Sequence, residues 1–134
     1  MIKKIVIDGN DGTGKTTRIE QLRKLFPNVE IQDRGIFSKA TLDEELFGPQ
    51  KRSFWFAVTP QDKFYNRIKH DHETLFIILD AEPETCQKRI AERGDSLDVE
   101  FHNIRDLEKY RSRFNLLLNI CKDLPNVMLI KTDD

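Results

Sequence analysis

A chain of 134 residues holds one core and one domain, with no room for two. Its 22 Lys and Arg against 23 Asp and Glu give a formal charge of −1. That balance excludes a general nucleic-acid coat, which needs a basic excess, and leaves a local basic pocket open; the 34% charged and 38% hydrophobic residues exclude a disordered chain.

In chain order, KKIVIDG is a short β-branched run with basic flanks that stops at a glycine, the pattern of a buried parallel strand. From Gly14 to Phe26 the residues Ile19, Leu22, Leu25 and Phe26 recur at helical spacing, and Pro27 ends the pattern. Val29 to Gln32 is a second short strand leading into Asp33-Arg34-Gly35. The stretch from Ile36 to Ser53 has no clean period and reads as loop with a helical turn at Leu42 to Phe47. Phe54-Trp55-Phe56-Ala57-Val58 reads as strand or packed loop, followed by a helix starting at Thr59-Pro60, with threonine as cap and proline at the first position. That helix ends near Lys69-His70-Asp71-His72. Thr74 to Asp80 is the strongest strand signal, and Pro83 to Gly94 is a helix opened by proline and closed by glycine. A polar connector precedes a long amphipathic helix from Ile104 to Cys121, and Val127 to Ile130 is a last strand. Strands alternating with helices predict a parallel sheet covered on both faces.

Cys86 and Cys121 both fall in helical patterns and lack metal-ligand spacing, so they are expected to be buried free thiols in a reducing compartment. His70 and His72 have no third ligand nearby and read as a solvated turn. No apolar run approaches the length of a membrane span, and the first residues enter a strand directly. A soluble, cytoplasmic protein without membrane attachment is therefore expected.

Gly9-x4-Gly14-Lys15-Thr16 forms a complete Walker A pattern between a strand and a helix. Glycines let backbone N–H groups turn toward a β-phosphate where side chains would collide, and the helix N-terminus adds partial positive charge. Lys15 reaches the β- and γ-phosphates, and the Thr16 hydroxyl is a ligand for Mg²⁺. A switch GTPase would also carry a base-reading NKxD motif, which is absent, and a remodelling ATPase needs a longer chain. A kinase of small molecules remains.

Several segments, in order, resemble the thymidylate kinase group and related deoxynucleoside (monophosphate) kinases, especially short virus-encoded members. Asp8 to Thr17, DGNDGTGKTT, is similar to that group's EGxDGAGKTT. Asp33 to Ser38, DRGIFS, resembles its DR-x-x-x-S segment. Leu75 to Asp98 resembles its strand, helix and the RG…D opening of a lid, here about 93–103. LEKYRSRF and the closing VMLIKTDD resemble its end, where the adenine pocket forms.

The resemblance implies a three-layer P-loop NTPase fold with a small, mostly parallel sheet, in the manner of a reduced nucleoside monophosphate kinase. It implies transfer from ATP, with Mg²⁺, to a deoxynucleoside monophosphate or deoxynucleoside. ATP would be held by Gly9, Asp11, Gly12, Thr13, Gly14, Lys15, Thr16 and Thr17, with Arg89, Arg93 and Thr132. Arg34 would clamp the acceptor phosphate. Asp33 would order water around Mg²⁺ beside Thr16, or take the acceptor's proton. Arg93 would stack on adenine or reach the transferring phosphate, and Asp11 and Ser38 would meet the sugar. Members of the group are often dimers, which makes a homodimer an expectation here.

The chain departs from the group where the acceptor is read. Lys15 and Asp33 stand only 18 positions apart, so the usual intervening strand and helix, with the aromatic that stacks on thymine, are missing. Trp55, between Phe54 and Phe56, is then one candidate platform for the base and Phe37 a second, though three adjacent aromatics also fit a core. Other readings are a kinase of a polynucleotide 5′-hydroxyl or a small metabolite, and a non-catalytic nucleotide-binding regulatory module. In the blandest, Asp33-Arg34 is a surface turn and Arg89 and Arg93 a solvated helix face.

Overall fold

The computed structural model describes residues 1–43 and 54–133, with the backbone alone for 54–60. Four strands, β1 (Lys4–Gly9), β2 (Glu30–Asp33), β3 (Thr74–Asp80) and β4 (Val127–Lys131), form one sheet in the order β2-β1-β3-β4. Every neighbouring pair is parallel, with Ile7 opposite Asp33 on one side and Ile77 on the other.

Parallel strands need crossovers, and helices supply them. These are α1 (Lys15–Leu25), α2 (Ile36–Thr41), α3 (Phe54–Lys69), α4 (Pro83–Glu92) and α5 (Ile104–Ile120). Alternation along β1 sends Ile5 and Ile7 to one face, where they pack with Ile19 of α1, Ile31, Ile77 and Leu79. Val6 points to the other face, against Phe37, Phe64, Ile68, Phe114 and Leu117 of α2, α3 and α5. The result is three layers, the P-loop NTPase arrangement expected from the sequence.

Several elements differ from their sequence patterns. A six-residue helix, α2, stands where loop was expected; one and a half turns are too short to show a period. Its start is fixed from outside, because Asp8 Oδ1 accepts the Gly35 N–H at 2.8 Å and the Ser38 hydroxyl. Phe54 to Val58 is helical, neither strand nor loop, and α3 runs through Thr59 and Pro60 instead of starting there. Pro60 has no N–H for the carbonyl four residues back, so its local signal resembles a helix start even inside a helix. Most of the helical turn expected at Leu42 to Phe47 lies outside the described residues.

At the end of α1, Leu25 and Phe26 are exposed, so the buried part of its stripe stops at Ile19 and the partly covered Leu22. Cys86 and Cys121 are buried free thiols, and burial pushes both up to about 11, leaving little thiolate at neutral pH. Among the described residues no helix is long and apolar enough to cross a membrane.

Candidate active site

β1 is followed by a helix on the β2 side and β3 by one on the β4 side, so the connections diverge between the carboxyl ends of β1 and β3. A crevice at such a divergence is where open α/β sheets bind ligands. Here the carboxyl ends of all four strands deliver site residues: Asn10 to Thr17 after β1, Asp33-Arg34 from β2, α4 with Arg89 and Arg93 after β3, and Thr132 after β4. Together with Arg18 and Gln21 of α1 they line a cavity of about 780 Å³, within the usual range for small-molecule sites.

The loop from Asn10 to Gly14 is held by its own polar atoms. The Thr13 hydroxyl donates to the Asn10 carbonyl at 2.7 Å, and Asn10 Nδ2 donates to the Leu107 carbonyl at 2.9 Å. The Thr13 side chain is thereby buried and spent on the loop. Gly12 and Gly14 take the left-handed backbone, at φ 83° and 89°. α1 begins with no side-chain cap and no acid in its first turn, so its first N–H groups stay open toward the cavity.

Charge converges on one carboxylate. Arg34 Nη2 donates to Asp11 Oδ1 at 2.7 Å, and His102 Nε2 lies 2.9 Å from Oδ2. Lys15 Nζ and Arg93 Nη2 each stand 3.9 Å away. Burial alone would raise the Asp11 carboxyl, but Lys15, Arg34 and the His102 and Arg34 hydrogen bonds hold it below its ordinary 3.8. Lys15 is itself buried, with Nζ 3.3 Å from the Gly9 carbonyl. Burial first, and then the Arg34 charge, lower its pKa against the pull of Asp11, Asp33 and Asp8. Lys15, Arg34 and Arg93 thus gather around one carboxylate, with Arg93 Nε paired as well to Asp95 Oδ2 at 2.5 Å, an arrangement that an incoming anion would complete.

Arg34 holds φ 67°, an uncommon backbone for a side-chain-bearing residue. Its N–H donates to the Ile7 carbonyl at 2.9 Å, and its own carbonyl accepts Gln32 Nε2 at 2.9 Å. Such strain persists only where the surroundings fix it, and it gathers at functional sites.

The other expected residues fall in three groups. Thr16, Thr17 and Asp33 line the cavity with exposed side chains. Thr16 and Asp33 offer hard oxygens and have no hydrogen-bond partner among the described residues. That pair fits Mg²⁺, which takes one or two protein oxygens beside phosphate and water. No cluster of three metal-ligating side chains occurs among the described residues, so such an ion would depend on the nucleotide's own phosphates.

Arg89, on the cavity wall, spends its guanidinium on the protein: it donates to the Gly12 carbonyl at 3.1 Å, the Thr132 hydroxyl at 3.1 Å and the Thr132 carbonyl. The Thr132 hydroxyl in turn donates to the Thr13 carbonyl at 2.9 Å. The pair therefore ties the loop to the segment after β4. Ser38 gives its hydroxyl to Asp8. Phe37 is fully buried, edge-on to Phe64 at 5.0 Å between ring centres. That corrects its expected place as a platform: its faces are spent on the core. The side chain of Trp55 lies outside the described residues.

Other contributors escaped the sequence reading. Asp8 is 1% exposed, and its Oδ2 lacks a hydrogen-bond partner among the described residues. His102 ties the lid segment to Asp11, and its Nδ1 faces the Ser96 carbonyl at 2.9 Å. Both partners are acceptors, so a neutral ring satisfies one contact and a doubly protonated ring both. Arg111 of α5 grips Asp80 through two bonds of 2.9 and 3.0 Å and also reaches Glu82; these bonds keep its guanidinium firmly protonated. The pairing of an acid at a strand end with arginines on a later helix was the one available hint.

Comparison with solved structures gives the fold independent support. The chain is similar to the YorR protein of Bacillus subtilis, solved in complex with phosphorylated GDP. The TM-score is 0.61 at 17% identity, over 97% of this chain and 85% of that one. It is also similar to deoxyadenosine kinase from M. mycoides. With bound dCTP the TM-score is 0.51 at 16% identity, over 97% of this chain and 89% of that one. With bound dATP it is 0.51 at 17% identity, over 97% and 90%. The likeness is one of fold. By sequence, no family model and no curated protein matches.

Proposed function

We propose that the chain is a kinase that transfers the terminal phosphoryl group of ATP to a deoxynucleoside or its monophosphate. The observation that carries this reading is the convergence of Lys15, Arg34 and Arg93 on the single carboxylate of Asp11, at the open N-terminus of α1. Phosphoryl transfer asks little covalent chemistry of a protein and much positioning of charge, since two anionic groups must be held in line. The similarity in fold to a deoxyadenosine kinase is consistent with an acceptor of this class.

In this reading the backbone amides from Gly12 to Thr16 cradle the donor's phosphates and Lys15 neutralises them. Thr16 would ligate Mg²⁺ and Asp33 would order its water, and the ion would supply positive charge to the donor's phosphates. Arg34 turns from Asp11 to the acceptor's phosphate, and Asp11, released, takes a sugar hydroxyl. With a deoxynucleoside as acceptor, its 5′-hydroxyl oxygen would attack the terminal phosphorus as the bond to the ADP oxygen breaks, and Asp33 would take the hydroxyl proton. With a monophosphate, a non-bridging oxygen of the acceptor's phosphate would attack instead, with no hydroxyl proton to remove. Arg93, half-exposed at the lid, closes on the transferring group.

The test is ATP consumption in the presence of Mg²⁺ and each of the four deoxynucleosides and their monophosphates. At least one acceptor is expected to raise consumption well above the acceptor-free rate, and Lys15→Ala to abolish the increase while leaving the far-UV spectrum unchanged. ATP binding without any acceptor-dependent consumption would favour a regulatory nucleotide-binding module.

A further inference from the structure

Resting on that kinase reading, we propose that Phe101, backed by Tyr110, is the aromatic wall on which the acceptor's base stacks. Beyond Asp11 and Arg34 lies a second, small pocket completed by Ser38, Phe101, Tyr110 and Phe114. One end offers a carboxylate and a guanidinium, the other three aromatic rings. Those are the two chemistries of a nucleotide acceptor, with a hydroxylated, phosphate-bearing sugar at one end and a flat ring at the other.

As it stands the pocket measures about 60 Å³, room for about two waters at ~30 Å³ each. A base enters only if a wall moves. Tyr110 and Phe114 are 7% and 6% exposed and belong to α5, whereas Phe101 is 38% exposed in the irregular segment between α4 and α5. Of the three rings, the one free to move is therefore Phe101, with Leu42, 52% exposed, on the same pocket. Its ring lies 5.3 Å from Tyr110 at 35°, a tilted pair that a third ring can part or extend. Its backbone stands at φ 70°, pinned by the Asp106 carboxylate on its N–H at 3.1 Å. The next residue, His102, holds Asp11. A base that shifts Phe101 thus pulls on the carboxylate that occupies Arg34, which couples recognition of the ring to release of the phosphate clamp. Phe37 cannot take this role from the core.

Two measurements test the wall. Phe101→Asn removes the ring but keeps a residue that tolerates a left-handed backbone. Stacking of a base on an aromatic ring is worth roughly 5- to 150-fold in affinity. Phe101→Asn should therefore raise the acceptor's KM about tenfold or more, with the KM for ATP unchanged, and Phe101→Trp should restore a low acceptor KM. An acceptor KM equal to that of the unaltered protein would overturn the proposal and leave the kinase reading standing.

Should the unaltered protein transfer nothing, the kinase reading fails and a binding measurement decides the wall by itself. Phe101→Trp is placed in a Trp55→Phe background, which removes the chain's single tryptophan. Its fluorescence should be quenched by the four deoxynucleosides and not by 2-deoxyribose 5-phosphate. An equal response to both, or none to either, overturns the proposal.

Discussion

Asp11 is the residue on which the unliganded site depends, because it is the shared counter-charge of Lys15, Arg34 and Arg93. Its carboxyl titrates below 3.8 in the folded protein. The stability it contributes is therefore complete above that pH and disappears as pH falls through the folded value. Asp11→Asn is expected to lower stability by about 1.5–3 kcal/mol at pH 7, the range for hydrogen bonds to charged groups. That loss should shrink on acidification to pH 3. Urea unfolding of both proteins at the two pH values measures it, and a loss independent of pH would mean that shape and not charge is at stake. Lys15, Asp11 and Arg34 were readable because a phosphate loop and a DR segment are local patterns. His102 was not, since 91 positions separate it from the carboxylate it binds. Phe37 was misplaced for a related reason: beside Arg34 in the chain, it turns inward while Arg34 turns out.

The loop before α1 and the helix α4 fit together through backbone. A Cβ on Gly12 would stand 2.5 Å from the Cys86 carbonyl oxygen and 2.8 Å from its Cα, at φ 83°. Gly14 shares the left-handed backbone, at φ 89°, but a Cβ there meets nothing within 4 Å. Gly14→Ala should cost only the backbone term, about 1–2 kcal/mol. Gly12→Ala adds an overpacked backbone contact and should reach about 2–5 kcal/mol. Comparable losses in urea melts would argue that α4 yields freely and does not hold the loop in place. Strong patterns predicted elements well: β3 with its unbroken apolar run, and α4 between Pro83 and Gly94. The short α2 was hidden because Asp8, 27 positions before Gly35, supplies its anchor. Pro60 disguised the start of α3 by imitating the first turn of a helix.

Four parallel strands in the order β2-β1-β3-β4 place every strand's carboxyl end on the same side, so one crevice gathers residues from Asn10 to Thr132. This arrangement followed from the alternation of strands and helices. The short link between α1 and Asp33 also made sense, because β2 pairs directly with β1 and needs no further strand between them. The acceptor's surroundings were the least readable part. Their aromatic residues, Phe101, Tyr110 and Phe114, come from a polar connector and the inner face of α5, where nothing in the local pattern separates a ligand wall from a core. This crevice is proposed to move a phosphoryl group between two nucleotides or from a nucleotide to a nucleoside. The direct measurement follows the terminal phosphate of ATP, labelled, in the presence of Mg²⁺ and the mixed deoxynucleosides and their monophosphates. The label should appear in a deoxynucleoside mono- or diphosphate, and Arg34→Ala should reduce that product. Label recovered only as ATP or as inorganic phosphate would contradict the account.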